Sequence, residues 1–195
     1  MTAFAPYLPS STMHPAAGAP RAMTTSLYDL TIPVFLKAFG NMRGFLEKGR
    51  AHAVETGGNP DDLLQLRLIG DMHPLVSQIQ RCSDSAKGCA VRLGGIENVS
   101  FPDEETTFDE LLARIDKTVD FLKAVPREAV DGKEETDVVL AFPSITLNFK
   151  GLGYVLDFAL PNFYFHETVA YALLRANGAP IGKVDFLSGG GRPPA

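Results

Sequence analysis

The sequence predicts a mainly α-helical protein, a four-helix bundle with a short accessory helix and a small β-hairpin before the last helix. Apolar residues recur at steps of three and four through most of the chain, and glycines and prolines divide these stretches at helix length. One short region changes to the alternation typical of strands. A chain of 195 residues with 45% hydrophobic side chains can bury one sizeable core, so we expect a single folded domain.

The first long helix is predicted from Leu27 to about Thr56. Its apolar stripe consists of Leu30, Val34, Ala38, Met42 and Phe45. Pro33 lies inside this stretch and either kinks the helix or marks its first turn. Gly57 and Gly58 end the helix.

The accessory helix and the second long helix follow. Asn59–Asp62 supplies a capping side chain, a proline and two acids, which predicts a short helix ending before Gly70. Pro74 then opens a long helix that Gly94 and Gly95 end. Its core stripe is Leu75, Ile79, Cys82, Ala86, Cys89 and Leu93.

A capping box at Thr107–Glu110 begins the third long helix, which stops before Pro126. The helix directs Leu111, Ile115, Val119 and Leu122 inward. Residues Asp137–Phe149 contain two β-branched and aromatic runs on either side of Pro143 and Ser144, which predicts a hairpin. An isolated hairpin is marginally stable, so it must pack on the bundle.

The last long segment begins at Gly151 and stops at Gly178 and Pro180. Pro161 lies in its middle, so the segment is either one kinked helix or two pieces. At 100° per residue, one face carries Phe163, His166, Val169, Ala170 and Leu173, and the other carries Tyr164, Thr168 and Arg175. We therefore expect His166 to point into the core.

The predicted domain spans residues 24–187, between a disordered tail at 1–23 and a flexible tail at 188–195. Met23 is an alternative start. A net charge of −5 argues against nucleic acid and anionic membranes as partners, and no apolar run reaches the length of a membrane span. Cys82 and Cys89 are seven residues apart in one helix, too distant for a disulfide, which predicts free thiols and a cytoplasmic protein.

A buried imidazole needs a hydrogen-bond partner, a metal or a ligand. Asn162, one turn before His166 on the same face, is the candidate partner. If neighbouring helices are antiparallel, His52, His73 and His166 gather at one end of the bundle and form a zinc or nickel site. Asp71 then either orients His73 or caps the helix that begins at Pro74.

Other side chains have simpler interpretations. Cys82 on the core stripe reads as a small buried hydrophobe rather than a nucleophile. Asp84 and Lys87 are spaced as a solvated ion pair, with a subunit contact as the alternative. The aromatic side chains near the last helix either belong to the core or line a pocket for an apolar ligand: Tyr154, Phe158, Phe163, Tyr164, Phe165 and Tyr171.

From Ser26 to Leu187 the chain resembles an uncharacterised family of domains of unknown function within the DinB/YfiT-like group of metal-dependent four-helix bundles. The blocks that carry the resemblance are SLYDLTIPVFLKAFGN, RLIGDMHPL, CSDSAKGCAVRLGG, TTFDELLARIDKT and LPNFYFHETVAYALLRANGAPIGKVDFL. The resemblance implies one metal histidine on the second helix and an H-x-x-x-H pair on the last. His166 matches the first member of that pair, Ala170 takes the place of the second, and His73 lies near the second-helix position. The implied triad is incomplete, so a divalent transition metal is not favoured.

The leading hypothesis is a small-molecule-binding protein or divergent enzyme with an interior pocket formed by His166, Asn162, His73 and Asp71. The first alternative is a metal-dependent hydrolase or thiol-linked transferase, as the resemblance implies. The second is a non-catalytic interaction protein that forms a homodimer. The residues alone do not decide whether the protein is an enzyme.

Overall fold

The computed structural model describes residues 25–189. Four long helices form the bundle: α1 (Leu27–Glu55), α2 (Leu75–Gly94), α3 (Phe108–Lys123) and α6 (Leu160–Ala176). The predicted tail at 1–23 lies outside the described residues, as does the predicted tail at 188–195 except for its first two residues. Ser188 is the last residue of a helix.

The helix starts follow the predicted chemistry. Ser26 caps α1 and exchanges hydrogen bonds with Asp29, and Thr107 caps α3 in the predicted capping box with Glu110. α1 continues through Pro33 without interruption. The accessory helix is a 3-10 helix over Pro60–Gln65, shorter than predicted, and the Asn59 side chain accepts a hydrogen bond from Asp61 N at its start.

The direction of the helices differs from the prediction. Ion pairs join Arg50 to Asp109 and Arg43 to Asp116, so α3 runs antiparallel to α1 and parallel to α2. Residues 95–107 therefore cross the whole bundle. An extended chain covers up to about 3.3 Å per residue, against about 1.5 Å in a helix, so this connection is long enough to return past α2. The expectation that short connections make every neighbouring pair antiparallel was wrong.

The last segment is one continuous helix. α5 (Gly151–Tyr154) passes directly into a π-helical stretch (Val155–Ala159) and then into α6. The wider π turn ends two residues before Pro161, whose ring and missing N–H disturb the ordinary hydrogen-bond ladder. The proline thus changes the local winding and does not divide the helix.

Two short helices were not predicted. α4 (Arg127–Val130) follows α3 and anchors the start of α1, where Arg127 pairs with Asp29. α7 (Lys183–Ser188) packs along α1, and its Asp185 pairs with Lys48 and accepts a hydrogen bond from Gly182 N. They are four and six residues long, less than two turns each, so neither shows a helical period in the sequence.

The hairpin is present as β1 (Asp137–Ala141) and β2 (Thr146–Lys150), paired antiparallel with Asp137 opposite Lys150. Val138 and Leu140 are buried, while Val139 between them is exposed. The alternation confirms that one face of the hairpin packs on the bundle.

The core is centred on rings from α1 and α6. The Phe163 ring lies 5.0 Å from the Phe35 ring and 5.3 Å from the Phe39 ring, centroid to centroid, and all three are fully buried. Cys82 and Cys89 are buried free thiols, as predicted. Over residues 25–189 no helix has the length and apolar character required to cross a bilayer.

The close packing at Gly151, where the hairpin passes into α5, can be tested by substitution. A Cβ at Gly151 would collide with the backbone oxygen of Lys133, which cannot move aside as a side chain can. Gly151→Ala should therefore lower the free energy of unfolding by at least about 2 kcal/mol, measured by urea denaturation. The matched control is Gly153→Ala, whose Cβ would have its nearest neighbour at 3.7 Å. We expect that control to be neutral or to stabilise by about 0.5 kcal/mol, and equal losses in both variants would contradict the packing.

Candidate functional site

A cleft of about 280 Å³ opens between α2, the hairpin and the last helix. Its polar lining comes from two helices: Arg81, Asp84, Ser85 and Arg92 of α2, with Asn162 and His166 of α6. Hairpin residues 139–142 and the π-helical Phe158 supply an apolar wall. The π turn gives the helix wall an irregular surface here, a position where such turns are often functional.

His166 lies at the inner end of this cleft and is 8% exposed. Its Nδ1 is 2.7 Å from Gln78 Oε1, and Gln78 Nε2 donates to the carbonyl oxygen of His73 at 2.8 Å. The His73 carbonyl fixes which end of the Gln78 amide faces the ring. Because the amide oxygen only accepts, Nδ1 must carry the proton, which leaves Nε2 with a free lone pair.

Burial is the main cause that lowers the pKa of His166 to about 4, and the positive charge of Arg81 and the nearby His73 ring lower it further. The ring is therefore neutral at physiological pH. A neutral imidazole in a partly apolar cleft can accept a hydrogen bond or a proton at Nε2.

Asn162 has a different partner from the one predicted. Its Nδ2 donates to Ser85 Oγ at 2.6 Å, so Gln78, and not Asn162, satisfies His166. The prediction was wrong because it considered a neighbour on the same helix. Gln78 reaches the His166 ring from α2, the facing helix, and forms the hydrogen bond instead. Asn162 and His166 nevertheless line the same cleft.

His73 and Asp71 are both exposed at the start of α2. Arg81 donates to His73 Nε2 at 2.7 Å, so His73 positions a cleft residue without lining the cleft. Asp71 does not cap α2, whose N-cap is Pro74, and it makes no hydrogen bond to His73 in the described structure. Neither role expected for Asp71 is realised.

His52 is remote from the cleft. A Cβ at Gly178 would lie 3.1 Å from His52 Nε2, so His52 packs beside the end of the last helix. His166 is twelve residues earlier, or roughly 18 Å along a helix axis. The last helix begins at the end of the bundle opposite His52, which is why the expected gathering of His52, His73 and His166 does not occur.

The donor set at His166 does not fit the metal that the resemblance implies. The α2 side chain that faces His166 is Gln78, and Ala170 is fully buried with no ligating atom. Among the described residues, no three His, Cys, Asp or Glu side chains are grouped to hold a metal ion. One imidazole that is already hydrogen-bonded through Nδ1 offers a single ligand, whereas zinc sites use at least three from the protein.

Cys82 is fully buried, and its Sγ donates to the Phe163 carbonyl oxygen at 3.6 Å. Burial raises the pKa of the thiol well above its usual range, and the charge of Glu167 raises it further. Cys82 therefore has the properties of a buried hydrophobe and lacks those of a reactive thiolate.

Three further residues of the site were not predicted to belong to it: Gln78, Arg81 and Ser85. They recur at three and four residues along α2, on a face adjacent to its apolar stripe. That polar spacing was visible in the sequence. Their connection to His166 required knowing that α2 and α6 are neighbours.

Glu167 was not a predicted site residue either, although it is only 1% exposed. It lines a small cavity of about 210 Å³ between α1, α6 and α7, where Leu187 of the unpredicted α7 forms part of the wall. Within the described residues neither carboxyl oxygen has a hydrogen-bond partner. Burial raises the pKa of Glu167 to about 8, so the carboxyl is protonated at neutral pH.

Comparisons with known proteins agree with the architecture. A family model described as "Domain of unknown function (DUF1993)" matches residues 27–187. The fold is similar to the crystal structure of a DinB family member protein from Shewanella denitrificans, with a TM-score of 0.77 and 33% sequence identity. That alignment covers 87% of this chain and 94% of the other. No curated protein matches the chain.

The buried Glu167 carboxyl predicts how the folding stability changes with pH. The folded protein keeps the Glu167 proton up to a pKa of about 8, whereas the unfolded chain releases it near 4.5. Folding stability should therefore fall as pH rises between these values, by up to about 1.4 kcal/mol per pH unit from this group. Glu167→Gln should remove that contribution, so its stability relative to the parent should increase from pH 5 to 8 in urea denaturation.

The matched control is the exposed Glu97→Gln, which removes the same formal charge from the loop after α2. Parallel stability curves for the parent and Glu167→Gln across this pH range would show that Glu167 is not the buried, protonated group described above.

Proposed function

This chain belongs to the DUF1993 family of DinB-like helical bundles, and on that basis we propose that it is a small-molecule-binding protein whose ligand occupies the cleft beside His166. The observation that carries the proposal is the neutral His166 ring, held by Gln78 with Nε2 unused, in a cleft with an aromatic wall. Largely preformed clefts with apolar walls and a few oriented polar groups are typical of small-molecule sites.

The polar groups suggest the kind of ligand. His166 Nε2 can only accept, so it favours a hydroxyl or N–H donor. Arg81 retains guanidinium donors beyond the one directed at His73, and it favours a carboxylate or another anionic oxygen. Phe142 and Phe158, with ring centroids 6.3 Å apart, provide a surface for a flat or apolar body.

This chemistry can be probed with 2-hydroxybenzoate, which carries a hydroxyl beside a carboxylate on one ring. We expect it to bind more tightly than benzoate, which lacks the donor for His166, and than phenol, which lacks the anion for Arg81. Each lost hydrogen bond should weaken the affinity by roughly three- to tenfold in isothermal titration calorimetry.

His166→Phe keeps a ring in place and removes both nitrogens, so it should reduce 2-hydroxybenzoate affinity to that of benzoate. The loss of the Gln78 hydrogen bond should also lower stability by about 1–3 kcal/mol, which leaves the protein folded for the measurement. The control His52→Gln changes a histidine at the far end of the bundle and should not alter binding. Equal affinities for the parent and His166→Phe would contradict the proposal.

The metal-dependent hydrolase and thiol-linked transferase alternatives gain no support from the donor set at His166 or from the buried Cys82 thiol. The dimeric interaction protein has one observation in its favour. Five exposed apolar side chains, which we call the hairpin patch, lie within residues 139–156 on the hairpin and the following helix: Val139, Phe142, Ile145, Leu152 and Leu156.

If this patch mediates dimerisation, Ile145→Lys should shift the protein from a dimer to a monomer in sedimentation velocity, because a charge at an apolar interface is strongly unfavourable. The exposed Val54→Lys, on α1, serves as the control. A monomeric parent at high concentration would dismiss the dimer.

A further inference from the structure

Lys87 departs from its predicted environment. The spacing of Asp84 and Lys87 predicts a solvated ion pair, but Lys87 is only 4% exposed. Asp84 pairs with Arg114 at 3.3 Å instead, and within the described residues no carboxylate lies within ion-pair distance of the Lys87 ammonium. The ion-pair prediction was wrong because residues 95–107 fold over this side of α2 and bury the lysine stem.

The Lys87 side chain borders a cavity of about 520 Å³ between α2 and the 95–107 connection. Its Nζ lies 3.8 Å from the centroid of the Phe101 ring. Asp84 and Arg92 border this cavity and also the His166 cleft, whereas Lys87 borders only this cavity. The space is sufficient for a small organic molecule in contact with the amine.

The charged groups around Lys87 come from three elements. Burial lowers the pKa of Lys87, and Arg114 of α3 lowers it further, against the opposing effects of Asp84 on α2 and Asp103 in the connection. Burial also raises the pKa of the half-exposed Asp84, and Asp103 adds to that rise, while Arg114 opposes it. Burial thus shifts the pKa of each group in the direction that favours its neutral form, while the face of the Phe101 ring favours the Lys87 ammonium.

We propose that Lys87 is a covalent binding site for a small aldehyde or ketone, which it holds as an imine in this cavity with Asp84 as the proton donor and acceptor. A lysine sheltered from water and lacking a carboxylate partner is the type that forms Schiff bases. This inference does not rest on the ligand of the His166 cleft.

The reaction balances with these two residues. The Nζ lone pair attacks the carbonyl carbon and forms the C–N bond, while the carbonyl oxygen takes the proton of Asp84. The nitrogen of the adduct returns a proton to the Asp84 carboxylate. Asp84 then protonates the hydroxyl, which leaves as water, and the nitrogen lone pair forms the C=N bond. The products are a protonated imine, an Asp84 carboxylate that balances its charge, and one water.

The experiment uses the full chain with propanal as the probe and cyanoborohydride to reduce the imine to a stable amine. Peptide mass spectrometry compares labelling at Lys87 with labelling at Lys123, which is 63% exposed. An ordinary lysine amine is neutral in only about one molecule in 2,500 at pH 7, so any lowered pKa raises the reactive fraction strongly. We expect labelling of Lys87 to be at least about tenfold faster than that of Lys123 at pH 7.

Two variants test the role of Asp84. Asp84→Asn removes the proton donor and should slow labelling of Lys87 at least about tenfold while leaving Lys123 unchanged. Glu104→Gln is the control, because Glu104 is an exposed carboxylate of the same connection that does not border the Lys87 cavity. Its labelling rate should stay within about threefold of the parent rate.

The ratio of Lys87 labelling to Lys123 labelling is measured in the unsubstituted protein, so it decides the proposal even if a variant fails to fold. Labelling of Lys87 that is no faster than that of Lys123 overturns the imine site. Labelling that is fast in Asp84→Asn overturns the assigned role of Asp84.

Discussion

The packing of α2 against the last helix is the constraint on which the candidate site depends. Arg92 donates to the Tyr154 hydroxyl, Asn162 donates to Ser85, and Gln78 contacts His166, so residue numbers rise on one helix as they fall on the other. This antiparallel register places Gln78 opposite His166 and holds the π turn against the hairpin. A shift of one turn would remove each of these contacts, since positions along a helix face repeat about every 5.4 Å.

Because of that packing, a chain of hydrogen bonds runs from the His73 carbonyl through Gln78 to His166 and determines the protonation pattern of the ring. The backbone carbonyl orients an amide, and the amide sets the tautomer of a buried ring. The resemblance implies one metal histidine on the second helix, whereas the α2 side chain that contacts His166 in this structure is the Gln78 amide. The contacts that the structure gives His166 are therefore those of a hydrogen-bonding group.

Burial has a similar effect at several titratable side chains. It lowers the pKa of His166 and Lys87 and raises the pKa of Glu167 and Asp84, each toward the uncharged form. The cause is the same in each case, because a charge loses hydration inside the fold and few partners replace it. Charged side chains remain beside these groups, since Arg81 lines the His166 cleft, Asp103 borders the Lys87 cavity and Arg92 borders both.

The sequence by itself determined the four long helices, the accessory helix and the hairpin, because caps, glycine stops and apolar spacing act over a few residues. It also placed His166 on the buried face of the last helix, since 3.6-residue periodicity is local. The tertiary structure alone decided which side chain faces His166, where the three histidines lie and how Lys87 becomes buried. Those outcomes depend on the path of residues 95–107, which reverses the expected direction of α3 and of the last helix, and no local pattern encodes the direction of a long connection.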